Sequence, residues 1–130
     1  MRLRAAAALL AAVTVGMGAF GAHGLKARFL AEPRAAGWWE TATFYLLVHA
    51  IAVAAMASGA RWPRLALLAG AAVFAGTLYA MALGAPRWLG AVTPIGGTAL
   101  IVGWVGLAWE ALSDDKDSEE TKGAKETEEN

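Results

Sequence analysis

The chain has no cysteine, which excludes disulfides, thiolate metal sites and cysteine nucleophiles. It also has little charge, 17% of its 130 residues, where soluble domains carry about 25%. Acids are scarcest where they would matter for chemistry. No aspartate precedes Asp114, and only Glu32, Glu40 and Glu110 carry acid in residues 1–112. A Ser-His-Asp set or a pair of deep carboxylates is therefore not available in that region. Only two histidines, His23 and His49, occur. Zinc takes four ligands, or three plus water, so the two together make no metal site, and no metal or cofactor is expected. Basic and aromatic residues do not cluster as nucleic-acid binding requires, so no nucleic-acid partner is expected either.

What is present is apolar. Hydrophobic residues make up 58% of the chain, and the mean hydropathy is +0.46. Residues 1–112 hold eight Lys/Arg against three acids, and residues 113–130 hold three Lys against eight acids. The formal net charge of zero thus combines a basic apolar region with an acidic tail.

Four uncharged runs divide the basic region. Ala5–Leu25 follows Arg2 and Arg4; Thr41–Ala60 follows the pair Trp38-Trp39; Leu65–Pro86 follows Arg61-Trp62-Pro63-Arg64; Trp88–Trp109 follows Pro86-Arg87. Each spans about 20 residues, enough to cross a bilayer core. The reading is an all-α integral membrane protein. Residues 1–112 form a four-transmembrane-helix bundle with spans about 5–25, 38–60, 65–85 and 91–112, and residues 113–130 form a disordered acidic tail with nothing to bury. The first run also has a basic start and small residues near Gly18 to Ala22, as a signal peptide would. It is long for that role and precedes further spans, so a retained first helix is expected.

Between the runs, Lys26–Gly37 reads as a loop and Arg61–Arg64 as a stiff connector ended by Pro63. Trp38 and Trp39 read as an aromatic belt, and Thr93-Pro94 as an N-cap followed by proline at the first helical position. Gly16, Gly18 and Gly21 of the first run and Gly96, Gly97, Gly103 and Gly106 of the fourth suit close helix approach in lipid. The arginines of the connections are read as contacts for lipid phosphates. With four spans both termini share a side, which carries seven Lys/Arg against four on the other. That excess places both termini in the cytoplasm.

The chemically pointed residues lie in the second run. Thr41, Tyr45 and His49 recur at a spacing of four, which puts them on one helix face. Polar residues inside a span are costly and often functional. The plainer reading of His49 is a hydrogen bond to a neighbouring helix, with Tyr45 or Thr77 as partner. For His23, at the end of the first span, it is an interfacial bond to loop backbone. Tyr79 and Thr93 complete the candidate polar intramembrane residues.

Several ordered motifs carry a resemblance. Gly18-Ala-Phe-Gly-Ala-His23-Gly-Leu25, then Trp38 or Trp39 with Thr41, Tyr45 and His49, then Gly76-Thr-Leu-Tyr79-Ala-Met-Ala-Leu83, then Thr93-Pro-Ile-Gly-Gly97 with Gly103-Trp104, resemble the YgdD-like family of small four-span bacterial inner-membrane proteins, classed as a domain of unknown function. The resemblance covers about residues 14–110 and leaves out the acidic tail. It implies a four-helix membrane protein and brings no activity, cofactor or catalytic residue.

Three function classes follow. The first is a non-enzymatic accessory, scaffold or helper protein working through helix contacts, with the lipid bilayer and either a membrane-protein partner or a homo-oligomer around it. The alternative is a small oligomeric transporter or proton-coupled carrier using the Thr41/Tyr45/His49 stripe. A membrane enzyme acting on lipid or quinone ranks last, for want of acids.

Overall fold

The computed structural model describes residues 2–56 and 59–128, and side chains up to residue 125. All its regular structure among these residues is helical: α1 (Arg2–Gly24), α2 (Lys26–Ala31), α3 (Pro33–Ala55), α4 (Arg61–Ala82), a 3-10 turn (Arg87–Ala91) and α5 (Thr93–Glu128). Helix is the solution that lipid imposes on such sequences, because every backbone group must find its partner within the segment.

Proline and glycine set several boundaries, and not always where expected. Pro33 stands at the start of α3, a position where its missing N–H costs nothing. The expected loop at Lys26–Gly37 is consequently mostly helix: only Leu25 and Glu32 interrupt the helical path. Pro63 likewise does not end a helix. It lies in the first turn of α4, where N–H groups have no intrahelical partner, so Arg61–Arg64 is a helix start and not a connector. Gly84 adopts φ +108°, and this left-handed turn favours glycine and closes α4.

The second predicted span, 38–60, is shifted: α3 starts at Pro33 and stops at Ala55, with Met56 extended at φ −70°, ψ 115°. Residues 57 and 58 of that prediction lie outside the described residues. The tail also differs from expectation, since α5 continues through the acidic segment to Glu128. A helix already nucleated in the apolar segment adds residues without a new nucleation cost, and no proline stands in the way. Ser113, Ser118 and Thr121 return their hydroxyls to the carbonyls of Trp109, Asp114 and Asp117.

The long helices pack in chain order: α1 on α3, α3 on α4, α4 on α5. Among the long helices α1 makes its extensive contacts with α3 alone, so the arrangement is a row with α1 at its edge and not a closed bundle. The core lies along α3 and α4. Ala35, Trp39, Ala42, Leu46, Ala50 and Val53 face Leu67, Ala71, Ala75, Leu78 and Ala82, all buried. Both sets recur at steps of three and four, one face of a helix. α1 presents a narrower stripe, Ala7, Thr14 and Gly21, spaced by seven. Where α4 crosses α5, a Cβ on Gly96 would stand 2.5 Å from the Phe74 nitrogen and 2.8 Å from the Gly70 oxygen. The two backbones touch there because neither helix has a side chain between them.

The outside carries the large apolar groups. Leu9, Val13, Phe20, Ile101, Val105 and Trp109 are exposed while the interior is rich in alanine, a distribution suited to lipid. By length and composition, Arg2–Gly24, Arg61–Ala82 and a segment within Arg87–Lys125 can cross a membrane. α3 does not stand among them, because Glu40, Thr41, Thr43, Tyr45 and His49 dilute its hydropathy.

Candidate functional site: a polar seam between the helices

His49 is buried on α3, with 7% of its surface exposed. Its Nδ1 lies 2.6 Å from the Tyr45 carbonyl oxygen, and its Nε2 accepts a hydrogen bond from the Trp104 indole N–H of α5 at 3.1 Å. The indole can only donate. Nε2 is therefore unprotonated, and Nδ1 carries the hydrogen it gives to the carbonyl: the ring is the neutral Nδ1–H tautomer. The expected side-chain partners, Tyr45 and Thr77, are not the ones found. Tyr45 supplies its carbonyl, and its ring stacks near the imidazole with centroids 6.0 Å apart while packing on Phe74 at 4.5 Å.

The stripe does not face inward as a whole. Thr41 and Tyr45 are exposed and His49 is buried. A step of four overshoots the 3.6-residue turn, so three such residues fan out over roughly 80°. Thr41 falls on the outer side, Tyr45 on the border and His49 inside.

Thr43, and not Thr41, is the threonine of α3 that reaches the seam. Its hydroxyl donates to the Trp39 carbonyl at 2.8 Å, which leaves the Tyr79 hydroxyl, 2.9 Å away, to donate to Thr43 in turn. The Tyr79 ring meets Trp39 edge-on, with centroids 4.5 Å apart. Trp39 is no belt residue: it is 2% exposed and its indole N–H donates to the Met17 carbonyl of α1 at 2.9 Å. On the other side of α4, Thr77 and Thr93 share a hydrogen bond at 2.8 Å. The Thr93 hydroxyl thus reaches Thr77 and the Leu89 carbonyl and is not an N-cap. His23 is exposed at the end of α1, away from the seam.

Each packed pair of long helices has its own tie, Trp39 for α1 and α3, Thr43–Tyr79 for α3 and α4, and Thr77–Thr93 for α4 and α5, and Trp104–His49 adds one between α5 and α3. Among the described residues no buried side-chain nitrogen or oxygen lacks a partner, and no three His, Asp or Glu gather as a metal would need. Trp39, Thr43 and Trp104 were the residues sequence reasoning missed as seam members. Thr43 could have been found from its place four residues after Trp39.

Charges at the helix ends, among them arginines expected to contact lipid phosphates, are bonded to protein backbone. Arg4 donates to the Ala54 carbonyl at 3.0 Å and Arg28 to the Ala82 carbonyl at 3.1 Å, so arginines from other elements cap the C-terminal ends of α3 and α4. Arg64, buried, donates to the carbonyls of Ala60 and Gly59. Glu110 accepts the Ala60 N–H at the N-terminal end of α4. Cations at C-termini and an acid at an N-terminus are the stabilising signs for helix dipoles.

A helical array of this kind, with apolar outer faces and an internally satisfied polar seam, is a membrane-protein architecture. Residues 17–97 match the family model described as protein of unknown function (DUF423), and the chain belongs to that family, whose curated relatives are named UPF0382 membrane proteins. One from Schizosaccharomyces pombe is 37% identical over 75% of this chain and 91% of its own length. One from Staphylococcus epidermidis is 41% identical over 81% and 90%, and one from Haemophilus influenzae is 40% identical over 73% and 81%. The fission-yeast relative shows that the family is not confined to bacteria. No solved structure matches the chain significantly.

Proposed function

We propose that this chain is a non-enzymatic accessory or helper protein whose four long helices all cross the bilayer and which works through its helix surfaces. One observation carries the reading. Both ring nitrogens of His49, the buried histidine of α3, are committed to protein partners, which fits a residue that joins helices and leaves no nitrogen for a substrate. The transporter alternative asks Thr41, Tyr45 and His49 to line one path, and the outward position of Thr41 counts against it. The location we infer is a bacterial inner membrane with both termini cytoplasmic, in keeping with the narrower YgdD-like grouping.

The test compares His49→Gln and His49→Leu in a strain whose phenotype depends on this protein. A tie between helices tolerates glutamine, which keeps size and hydrogen bonding. Membrane hydrogen bonds average about 0.6 kcal/mol, so His49→Leu is expected to lose little stability as well. Glutamine does not titrate near neutral pH. Should His49→Gln fold and express normally yet abolish the phenotype as fully as His49→Leu, the histidine belongs to a working site and the proposal fails.

A further inference from the structure

Beside the seam, a cavity of about 510 Å³ opens between α1, α2 and α3. Its floor is kept low by Gly18 and Ala22 of α1, and Phe29 and Phe44 form apolar walls. Two opposite charges share its lining, Lys26 at the first turn of α2 and Glu40 in α3. Both side chains are exposed. Among the described residues the one ion pair is Arg87–Glu32, so neither Lys26 nor Glu40 has an ionic partner among them.

Their places in the chain set the depth. With α1 and α3 crossing the bilayer as proposed, Lys26, just past the end of α1, falls at the level of the headgroups. Glu40 is seven residues into α3, roughly 10 Å from its start, among Trp39, Thr43 and Phe44. An unpaired carboxylate at that level of a membrane protein is expensive and points to a partner. The partner must be amphipathic, since aromatic and aliphatic walls adjoin the charges. It must offer an anion to Lys26 and a cation to Glu40. An anionic headgroup satisfies Lys26 but meets Glu40 as a like charge. A quaternary ammonium has no N–H to give the carboxylate.

We propose that this cavity binds one aminophospholipid of the phosphatidylethanolamine class, with the phosphate held by Lys26 and the primary ammonium donating to Glu40. The acyl chains continue down the apolar wall at Phe29 and Phe44. This site rests on α1 and α3 crossing the bilayer as proposed, and not on the helper role: the lipid can fail to bind while the helices still act through their surfaces.

The experiment is native mass spectrometry of the full chain in detergent, titrated with phosphatidylethanolamine, phosphatidylcholine or phosphatidylglycerol of matched acyl chains. The wild type is expected to keep one phosphatidylethanolamine about tenfold more tightly than phosphatidylcholine, the worth of one charge-assisted hydrogen bond. Glu40→Gln is expected to erase that preference, Lys26→Gln to weaken all three lipids, and Ala22→Phe to fill the cavity and block retention. All three positions are exposed, so unchanged melting temperatures verify folding. Equal retention of phosphatidylcholine by the wild type, tightest retention of phosphatidylglycerol, or a preference that survives Glu40→Gln each overturns the proposal.

Discussion

Glycine in this chain has two unlike roles, and alanine substitution separates them. At Gly96 a methyl group would enter the α4 backbone, 2.5 Å from the Phe74 nitrogen. Backbone cannot rotate away as a side chain can, so Gly96→Ala must push α5 off α4. The expected loss is about 1–3 kcal/mol, typical of overpacking. At Gly76, also helical, nothing lies within 4 Å of the added Cβ. Gly76→Ala is expected to be neutral or to stabilise by up to about 1 kcal/mol through helix propensity. Unfolding in mixed micelles with rising denaturing detergent measures both. The sequence shows both glycines as small residues on apolar helices. It does not show which one lies at a crossing, because that depends on the rotation of two helices about each other. The same limit applies to the seam. His49 was legible as a polar residue on an apolar helix, but its partner Trp104 lies 55 positions away and no local pattern joins them. A matching prediction follows for Tyr79→Phe, which keeps the edge contact with Trp39 and removes only the bond to Thr43: about 0.6 kcal/mol is expected to be lost.

At the scale of the element, the apolar runs located every long helix, and their ends moved by a few residues wherever a proline stood near a helix start. Proline reads as a breaker in the abstract, yet Pro33 and Pro63 sit in first turns, where the ring costs no hydrogen bond. The acidic segment shows the opposite error. Its composition gives it nothing to bury, and residues 114–125 are indeed exposed throughout, but a solvated helix can extend from a buried one. Two outcomes are expected. Deleting residues 115–130 leaves the melting temperature in detergent unchanged, because the side chains of residues 115–125 are exposed. Amide exchange in the tail is fast, while the α3 and α4 amides around Leu46 and Ala71 are protected, since opening the tail disturbs no tertiary contact. A clear drop in melting temperature on deletion would mean that the tail docks on the array.

For the whole molecule, the order of helices followed from the sequence and their lateral arrangement did not. Four apolar runs with short connections suggest a closed bundle, whereas α1 rests chiefly on α3 at the edge of a row. The difference lies in stripe width: α1 offers Ala7, Thr14 and Gly21, while α4, at the middle, has ten buried residues. The row fixes which ends meet. Arg4 caps the C-terminal end of α3 at Ala54, and Glu110 of α5 reaches Ala60, so the start of α1, the α3–α4 connection and the end of the apolar part of α5 lie together. Arg28 meets the C-terminal end of α4 at Ala82, and Glu32 pairs with Arg87 at 3.6 Å, which gathers the other connections at the opposite end. With all four long helices crossing the bilayer, reporter fusions after residue 30 and after residue 112 land on opposite sides. The Lys/Arg excess predicts the fusion after residue 112 in the cytoplasm. A same-side result from the two fusions would mean that one of the helices between them fails to cross, and α3, with Glu40, Thr41 and Thr43 in its second and third turns, is the helix that result would indict.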